Sequence, residues 1–106
     1  MVGIVFEYNS LTHGYHKWVV IKEFSNSSYC LCAIISSSHT YNSVKLDTQK
    51  CESIRKTSFI QYDNLLSVKK DVVKNNRIEL LCSSIVSELK RNHQKRVIIV
   101  DISIKS

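Results

Sequence analysis

The amino-acid sequence predicts a mainly β fold with one amphipathic helix near the end of the chain. Short runs rich in β-branched and aromatic residues alternate with clusters of Asn, Ser and Asp, as expected for strands separated by turns. One late stretch, residues 77–91, has apolar residues at helical spacing instead. The chain has 106 residues, 43% of them hydrophobic, which suits one core. We therefore predict a single domain over residues 1–106.

The first half of the chain contains three predicted strands. The first two are residues 2–8 (VGIVFEY) and 17–24 (KWVVIKEF), and turn-forming residues 9–14 join them. Residues 29–35 (YCLCAII) are almost continuously apolar, as in a strand buried on both faces. We expect this third strand to be the central strand of the sheet.

Two shorter strands, a helix and a final strand complete the prediction. Residues 43–46 and 57–62 alternate apolar and polar positions, so each is predicted as a half-buried strand. A cap at Asn75-Asn76 and apolar positions spaced by three and four predict a helix over residues 77–91, its buried stripe formed by Ile78, Leu81, Ile85 and Leu89. Residues 97–104 return to strand character, and we expect them either to cover a sheet edge or to build a dimer contact.

The net charge of +6 is concentrated in the second half of the chain. Residues 1–53 carry four basic and four acidic side chains, whereas residues 54–106 carry eleven basic and five acidic ones. A basic half of this kind attracts a polyanion, and we predict RNA as the partner. The alternative is a basic surface that serves only solubility.

Membrane and secretory functions are not indicated. No apolar run approaches the roughly 18 residues that span a bilayer, and residues 1–8 lack the pattern of a signal peptide. We therefore predict a cytoplasmic protein without a membrane partner. In that reducing compartment the four cysteines are expected to remain thiols.

Neither a metal nor a nucleotide cofactor is predicted. Cys30 and Cys32 are closer in sequence than the usual zinc-ligand spacing, and we expect their thiols to point to opposite faces of a strand. Neither glycine lies in a phosphate-binding glycine motif.

The candidate functional residues fall in three polar segments. His13, His16 and Lys17 could supply a general acid or base and a cation, although a histidine-rich loop is often only a solvated surface. Two further segments combine hydroxyls with basic groups suited to a phosphodiester: Ser36, Ser37 and His39 after the central strand, and Arg55, Lys56 and Ser58 at the start of a later strand. For the first of these two segments the simpler interpretation is an ordinary polar turn. Aromatic residues that could stack on bases where exposed are Tyr15, Trp18, Tyr29, Tyr41 and Tyr62.

Taken in order, several segments resemble the MazF/PemK (Kid-type) toxin family. Residues 3–6 (GIVF) are similar to the family's opening glycine and first strand, and residues 16–21 (HKWVVI) to its basic-Arg-Pro-Val-Leu-Val second strand. Residues 29–37 match its buried third strand, which ends in Thr or Ser. Residues 55–63 and 65–69 resemble its "K-D-S-x-V" strand and the following "I-x-T-I-D-K" segment.

The resemblance implies an SH3-like β-barrel of about five to six strands with a C-terminal helix, in a superfamily that also includes ToxN. It further implies a homodimeric, metal-independent endoribonuclease that cleaves single-stranded RNA and is controlled by a protein antitoxin.

The resemblance also implies roles for individual residues. In the family, the arginine of the second strand and the Thr or Ser after the third promote attack of the ribose 2′-hydroxyl on its own phosphate. Those roles would fall on Lys17 and Ser36, with His16 or His13 transferring protons. The remaining candidates, Ser37, His39, Arg55, Lys56 and Ser58, would then contact RNA together with His13.

Two alternatives remain open at this stage. Lys17 stands where the family has arginine and Trp18 where it has proline, which favours a catalytically inactive barrel of the same fold that binds RNA or a protein partner, as in a phage or defence regulator. The second alternative is a structural or assembly module whose basic half contacts an acidic protein.

Overall fold

The computed structural model describes residues 1–38, 43–46 and 56–91. The strands among them are β1 (Ile4–Ser10), β2 (Gly14–Glu23), β3 (Tyr29–Ser36), β4 (Ser43–Leu46), β5 (Ser58–Lys69) and β6 (Arg77–Leu80). The helices are α1 (Lys70–Asn75), between β5 and β6, and α2, described over residues 83–91. A mainly β fold with a helix near the end of the chain is thus confirmed.

All strand pairs are antiparallel and belong to one sheet with the order β4-β5-β3-β2-β1-β6. β3 lies between β5 and β2, so the prediction of a central third strand is confirmed. In the part of the chain that the structure describes, β4 and β6 form the two edges, and the sheet curls into a half-barrel.

The sheet is covered on both faces. On the face that we call the α2 face, Val5, Val19 and Ala33 lie side by side in register and pack in one core with Ile85 and Leu89 of α2. On the opposite face, which we call the α1 face, the largest buried side chains are Phe6 and Trp18, and Val73 of α1 packs there. Strand alternation therefore assigns each side chain to one of two cores.

Cys30 and Cys32 both belong to the α1-face core, with their Sγ atoms 3.8 Å apart. The expectation that they point to opposite faces is wrong, because residues two positions apart in a strand share a face. The contact with Cys30 and burial together raise the pKa of Cys32, and the contact with Cys32 lowers the pKa of Cys30. Cys82 is exposed, and its hydrogen bond with Ser84 lowers its pKa.

The predicted helix over residues 77–91 is wrong in its first part. Arg77–Leu80 form strand β6, held to β1 by hydrogen bonds from Leu81 N–H to the Gly3 carbonyl (3.0 Å) and from Glu7 N–H to the Asn76 carbonyl (3.2 Å). Ile78 is 37% exposed, whereas Leu81, Ile85 and Leu89 are buried. One edge of β1 is left unpaired by β2, and β6 pairs with it. This pairing satisfies the backbone N–H and C=O groups of residues 77–80, which a helix would otherwise satisfy within itself.

Helix α1, at residues 70–75, was not predicted, and Asn75-Asn76 lie at its end rather than at the start of a helix. The strand predicted at residues 57–62 is confirmed and continues to Lys69. The strand predicted at residues 97–104 lies outside the described residues. No helix in the described part of the chain is long and apolar enough to cross a membrane.

Candidate functional site

A pocket of about 600 Å³ opens beside the start of β2, the end of β3 and the start of β5. Six of the residues that the sequence singled out line it: His16, Lys17, Ser36, Ser37, Lys56 and Ser58. These six come from three separate segments of the chain. The lining also includes Tyr15, which was a candidate for base stacking, and it is completed by Glu7 and Ile35, which were not predicted.

The sheet register explains how the charged part of the pocket forms. Glu7 lies opposite Lys17 in the β1–β2 pair, and Lys17 lies opposite Ile35 in the β2–β3 pair. Ile35 belongs to the α2-face core, so the side chains of Glu7 and Lys17 lie in the same cross-strand row on that face. Both are half-buried. The pocket therefore places a carboxylate and an ammonium group at the border of the apolar core.

Lys56 and Ser58 approach from the start of β5. Ser58 is buried and pairs with the core residue Leu46, which puts its side chain on the α2 face as well. Its hydroxyl donates a hydrogen bond to the Lys56 carbonyl at 3.1 Å. Ser58 thus holds the main chain at Lys56, whose exposed side chain brings a second cation to the pocket.

The segment after β3 is held by two hydrogen bonds. Ser36 Oγ accepts from the Ser38 N–H at 3.2 Å, and the buried Gln61 side chain donates through Nε2 to the Ser38 carbonyl at 2.8 Å. In strand β3, alternation turns Ser36 toward the face opposite Ile35. Ser36 therefore borders the pocket without sharing the Lys17 face, and its hydroxyl proton is not used in the bond to Ser38.

The two described histidines of the β1–β2 hairpin lie in different surroundings. His16 lines the pocket, although strand alternation assigns its ring to the face opposite Lys17. His13 does not line it: the His13 ring lies edge-on to the Trp18 ring, with centroids 5.9 Å apart, and its backbone N–H donates to Ser10 Oγ at 3.0 Å. His13 is therefore separated from the other candidates.

The aromatic candidates separate by exposure. Trp18 and Tyr62 are buried in the two cores and cannot stack on a base. Tyr15 is 64% exposed and lines the pocket, whereas Tyr29 is 40% exposed and lies elsewhere. Tyr15 is thus the aromatic ring that the described structure offers to a molecule in the pocket.

Two predicted site residues, His39 and Arg55, lie outside the described residues, as does Tyr41. Within the described ranges, no three His, Cys, Asp or Glu side chains come together as a metal site. Glu7 was missed because it is ordinary in the sequence, whereas Tyr15 was predicted only as a ring that could stack on a base. The signal that could have found Glu7 is the β1–β2 register, since pairing Ser10 with Gly14 places Glu7 opposite Lys17.

Comparison with known protein families and with curated proteins returned no match. The chemistry of the pocket is therefore the basis on which a function can be argued.

Proposed function

We propose that this protein is a metal-independent endoribonuclease that cleaves single-stranded RNA by attack of a ribose 2′-hydroxyl, as the toxin of a toxin–antitoxin pair. The observation that carries the proposal is that six residues from three sequence segments line one pocket, where they bring together two cations, three hydroxyls and a histidine. A volume of about 600 Å³ lies within the range of small-molecule sites, and a single nucleotide is a small molecule in this sense.

The charges of the pocket suit a phosphodiester. Lys17 and Lys56 supply two ammonium groups, which attract a phosphate and offset the negative charge that builds up on its oxygens during the reaction. Ser36 and Ser37 add hydroxyl donors at the edge, and His16 is a group able to transfer protons there. In this scheme Lys17 stabilises the pentavalent transition state, and the product is a 2′,3′-cyclic phosphate.

The partners in this proposal are a second copy of the chain and a protein antitoxin, in the cytoplasm. Both partners are supported by the family resemblance. The excess of basic side chains adds support for RNA as the substrate, because it favours association with a polyanion.

A second candidate function is RNA binding without cleavage, and Lys17 favours it. A lysine is a point charge and cannot make the planar, two-bond grip on a phosphate that an arginine makes. A pocket lined by Lys17 could hold RNA and still stabilise the transition state too little for turnover.

The experiment that tests the proposal is incubation of the purified chain with a long single-stranded RNA in EDTA, followed by end-group analysis of the fragments. We expect fragments with 2′,3′-cyclic phosphate ends. Lys17→Ala should lower the rate by about 10²–10³-fold, the usual effect of removing one group that stabilises transition-state charge. Lys74→Ala, which removes an exposed lysine of α1 outside the pocket, should cleave like the wild type.

Intact RNA with the wild-type protein would contradict the nuclease proposal. A shifted but uncut RNA in a native gel would then support the second candidate. Cleavage at an unchanged rate by Lys17→Ala would show that the pocket is not the site of the reaction.

A further inference from the structure

We infer that Glu7 is the general base of the proposed reaction, the group that takes the proton from the attacking 2′-hydroxyl. The inference rests on the proposed nuclease function and adds a residue that neither the sequence pattern nor the family resemblance singled out. It follows from the position of Glu7 in the sheet and from the chemistry that the pocket otherwise lacks.

The position of Glu7 is fixed by both neighbouring strands. On one side the β1–β2 register is regular from Val5–Val19 to Ser10–Gly14, and it holds Glu7 opposite Lys17. On the other side the Glu7 N–H donates to the Asn76 carbonyl at 3.2 Å, just before β6. A side chain carried by a strand that is paired on both edges is well placed for catalysis, because its backbone cannot drift.

Glu7 is the carboxylate among the described residues that line the pocket. The other lining side chains able to bind or release a proton are His16, Lys17, Lys56 and Tyr15. A lysine ammonium cannot accept a proton, a tyrosine phenol is a weak base, and strand alternation turns His16 away from the Lys17 face. The base on that face is therefore Glu7.

The charged neighbours of Glu7 support this role. Lys17 faces it from β2, and Lys56 lies across the pocket. From β6, the strand on the other side, the charged residues are the exposed Arg77, opposite Phe6, and Glu79, opposite Val5. Lys17 and Lys56 can therefore hold the phosphate group next to the Glu7 carboxylate.

The proposed step balances without a metal or a co-reactant. The proton of the 2′-hydroxyl moves to the Glu7 carboxylate while the 2′-oxygen forms a bond to phosphorus. The bond between phosphorus and the 5′-oxygen breaks, and the leaving oxygen receives a proton from the Lys17 ammonium group, which regains one from solvent. The carboxylic acid of Glu7 then returns its proton to solvent.

A purely structural role for Glu7 makes a different prediction. A carboxylate and an ammonium group that lie opposite each other on two strands contribute about 0–1 kcal/mol to stability, so the loss of a purely structural Glu7 would leave cleavage nearly unchanged. General-base catalysis typically accelerates a reaction by about 10²–10⁴-fold, so its loss would be obvious in the rate.

The test compares Glu7→Gln, Glu7→Asp and the wild type in single-turnover cleavage of single-stranded RNA across a pH series. We expect Glu7→Gln to cleave at least about 100-fold more slowly. The wild type should cleave more slowly in acid, where a general base becomes protonated, and Glu7→Gln should lack that fall in rate. Glu7→Asp keeps a carboxylate and should keep that fall, with a reduced rate. Asp71→Asn, which removes an exposed carboxylate of α1, is the matched control.

A measurement of RNA binding distinguishes a loss of catalysis from a loss of folding. A 2′-O-methyl RNA of the same sequence cannot react, and Glu7→Gln should bind it at least as tightly as the wild type, because a negative charge facing the phosphates has been removed. If the wild type and Glu7→Gln cleave equally fast, the inference is overturned and the proposed function is left intact. Wild-type protein that does not cleave would overturn both.

Discussion

Tyr15 is the residue that best connects the pocket to RNA rather than to phosphate alone. It is 64% exposed and borders Lys17 along β2 with one residue between them, so ring and ammonium group lie on the same face of the strand. Aromatic rings stack on unpaired bases without regard to sequence, and stacking requires a base that is free of a duplex. A ring beside two cations is the combination that single-stranded RNA binders use.

We predict that Tyr15→Ala weakens binding of single-stranded RNA by about 1–3 kcal/mol, the usual contribution of one stacked base. Tyr15→Phe should bind like the wild type, because the ring is kept. Fluorescence anisotropy with a labelled 2′-O-methyl RNA measures both. Tyr29→Ala serves as the control, because Tyr29 is exposed outside the pocket. Equal losses in Tyr15→Ala and Tyr15→Phe would show that the hydroxyl, not the ring, makes the contact.

For individual residues, the sequence predicted which types of side chain line the pocket better than it predicted which residues lie opposite each other in the sheet. Hydroxyls and cations in short polar segments predicted most of the described lining of the pocket. Glu7 could not be recognised in the same way, because a lone glutamate in a strand gains meaning only from the residue opposite it. The error over Cys30 and Cys32 was different in kind, since strand alternation alone puts them on one face.

Among the elements, the contact between the first turn and α2 depends on a glycine. Gly3 has φ = +93°, and a Cβ added there would lie 2.5 Å from Cγ2 of Val86 in α2. Gly14, at the end of the β1–β2 turn, has φ = +70° but open space around it. Comparing substitutions at the two glycines therefore distinguishes the cost of the backbone conformation from the cost of a packing clash.

We predict that Gly14→Ala lowers the free energy of unfolding by about 1–2 kcal/mol, the cost of a left-handed conformation for a residue with a Cβ. Gly3→Ala should lose more, by a further 1–3 kcal/mol or so, because Val86 must also move. Urea unfolding measures both variants. Gly3→Ala should cost less stability when it is introduced into Val86→Ala than when it is introduced into the wild type, because the clashing methyl group is gone. Equal losses in the two single glycine variants would mean that α2 yields freely at this contact.

The elements that the sequence failed to predict are those decided by distant pairing. Residues 77–80 continue a helical spacing of apolar positions, yet they pair with β1, more than seventy residues earlier in the chain. The register of that pair shifts between Val5 and Phe6, so even a correct strand prediction would not have given its alignment. Strands β1, β2 and β3 were predictable because each pairs with its neighbour in sequence.

At the scale of the whole molecule, the pocket draws its cations from both halves of the chain. Lys17 comes from the half that has no net charge, and Lys56 from the half that carries the entire +6. Three other exposed basic side chains of the second half, Lys69, Lys74 and Arg77, lie in α1 or next to it in the chain, and two more, Lys90 and Arg91, lie in the last described residues of α2. The charge asymmetry of the sequence therefore does not by itself say which surface an RNA would contact.

The salt dependence of RNA binding distinguishes the two surfaces. For single strands the logarithm of the binding constant falls with the logarithm of salt concentration by roughly 0.7 per phosphate that the protein neutralises. If RNA occupies the pocket, Lys17→Ala/Lys56→Ala should reduce that slope by roughly 1.4, and Lys69→Ala/Lys74→Ala should leave it unchanged. Anisotropy titrations at four or so salt concentrations give each slope. The opposite result, a slope that changes only in the α1 variant, would place the RNA on the surface around α1. RNA binding would then be a property of a surface other than the pocket, where Glu7 lies opposite Lys17.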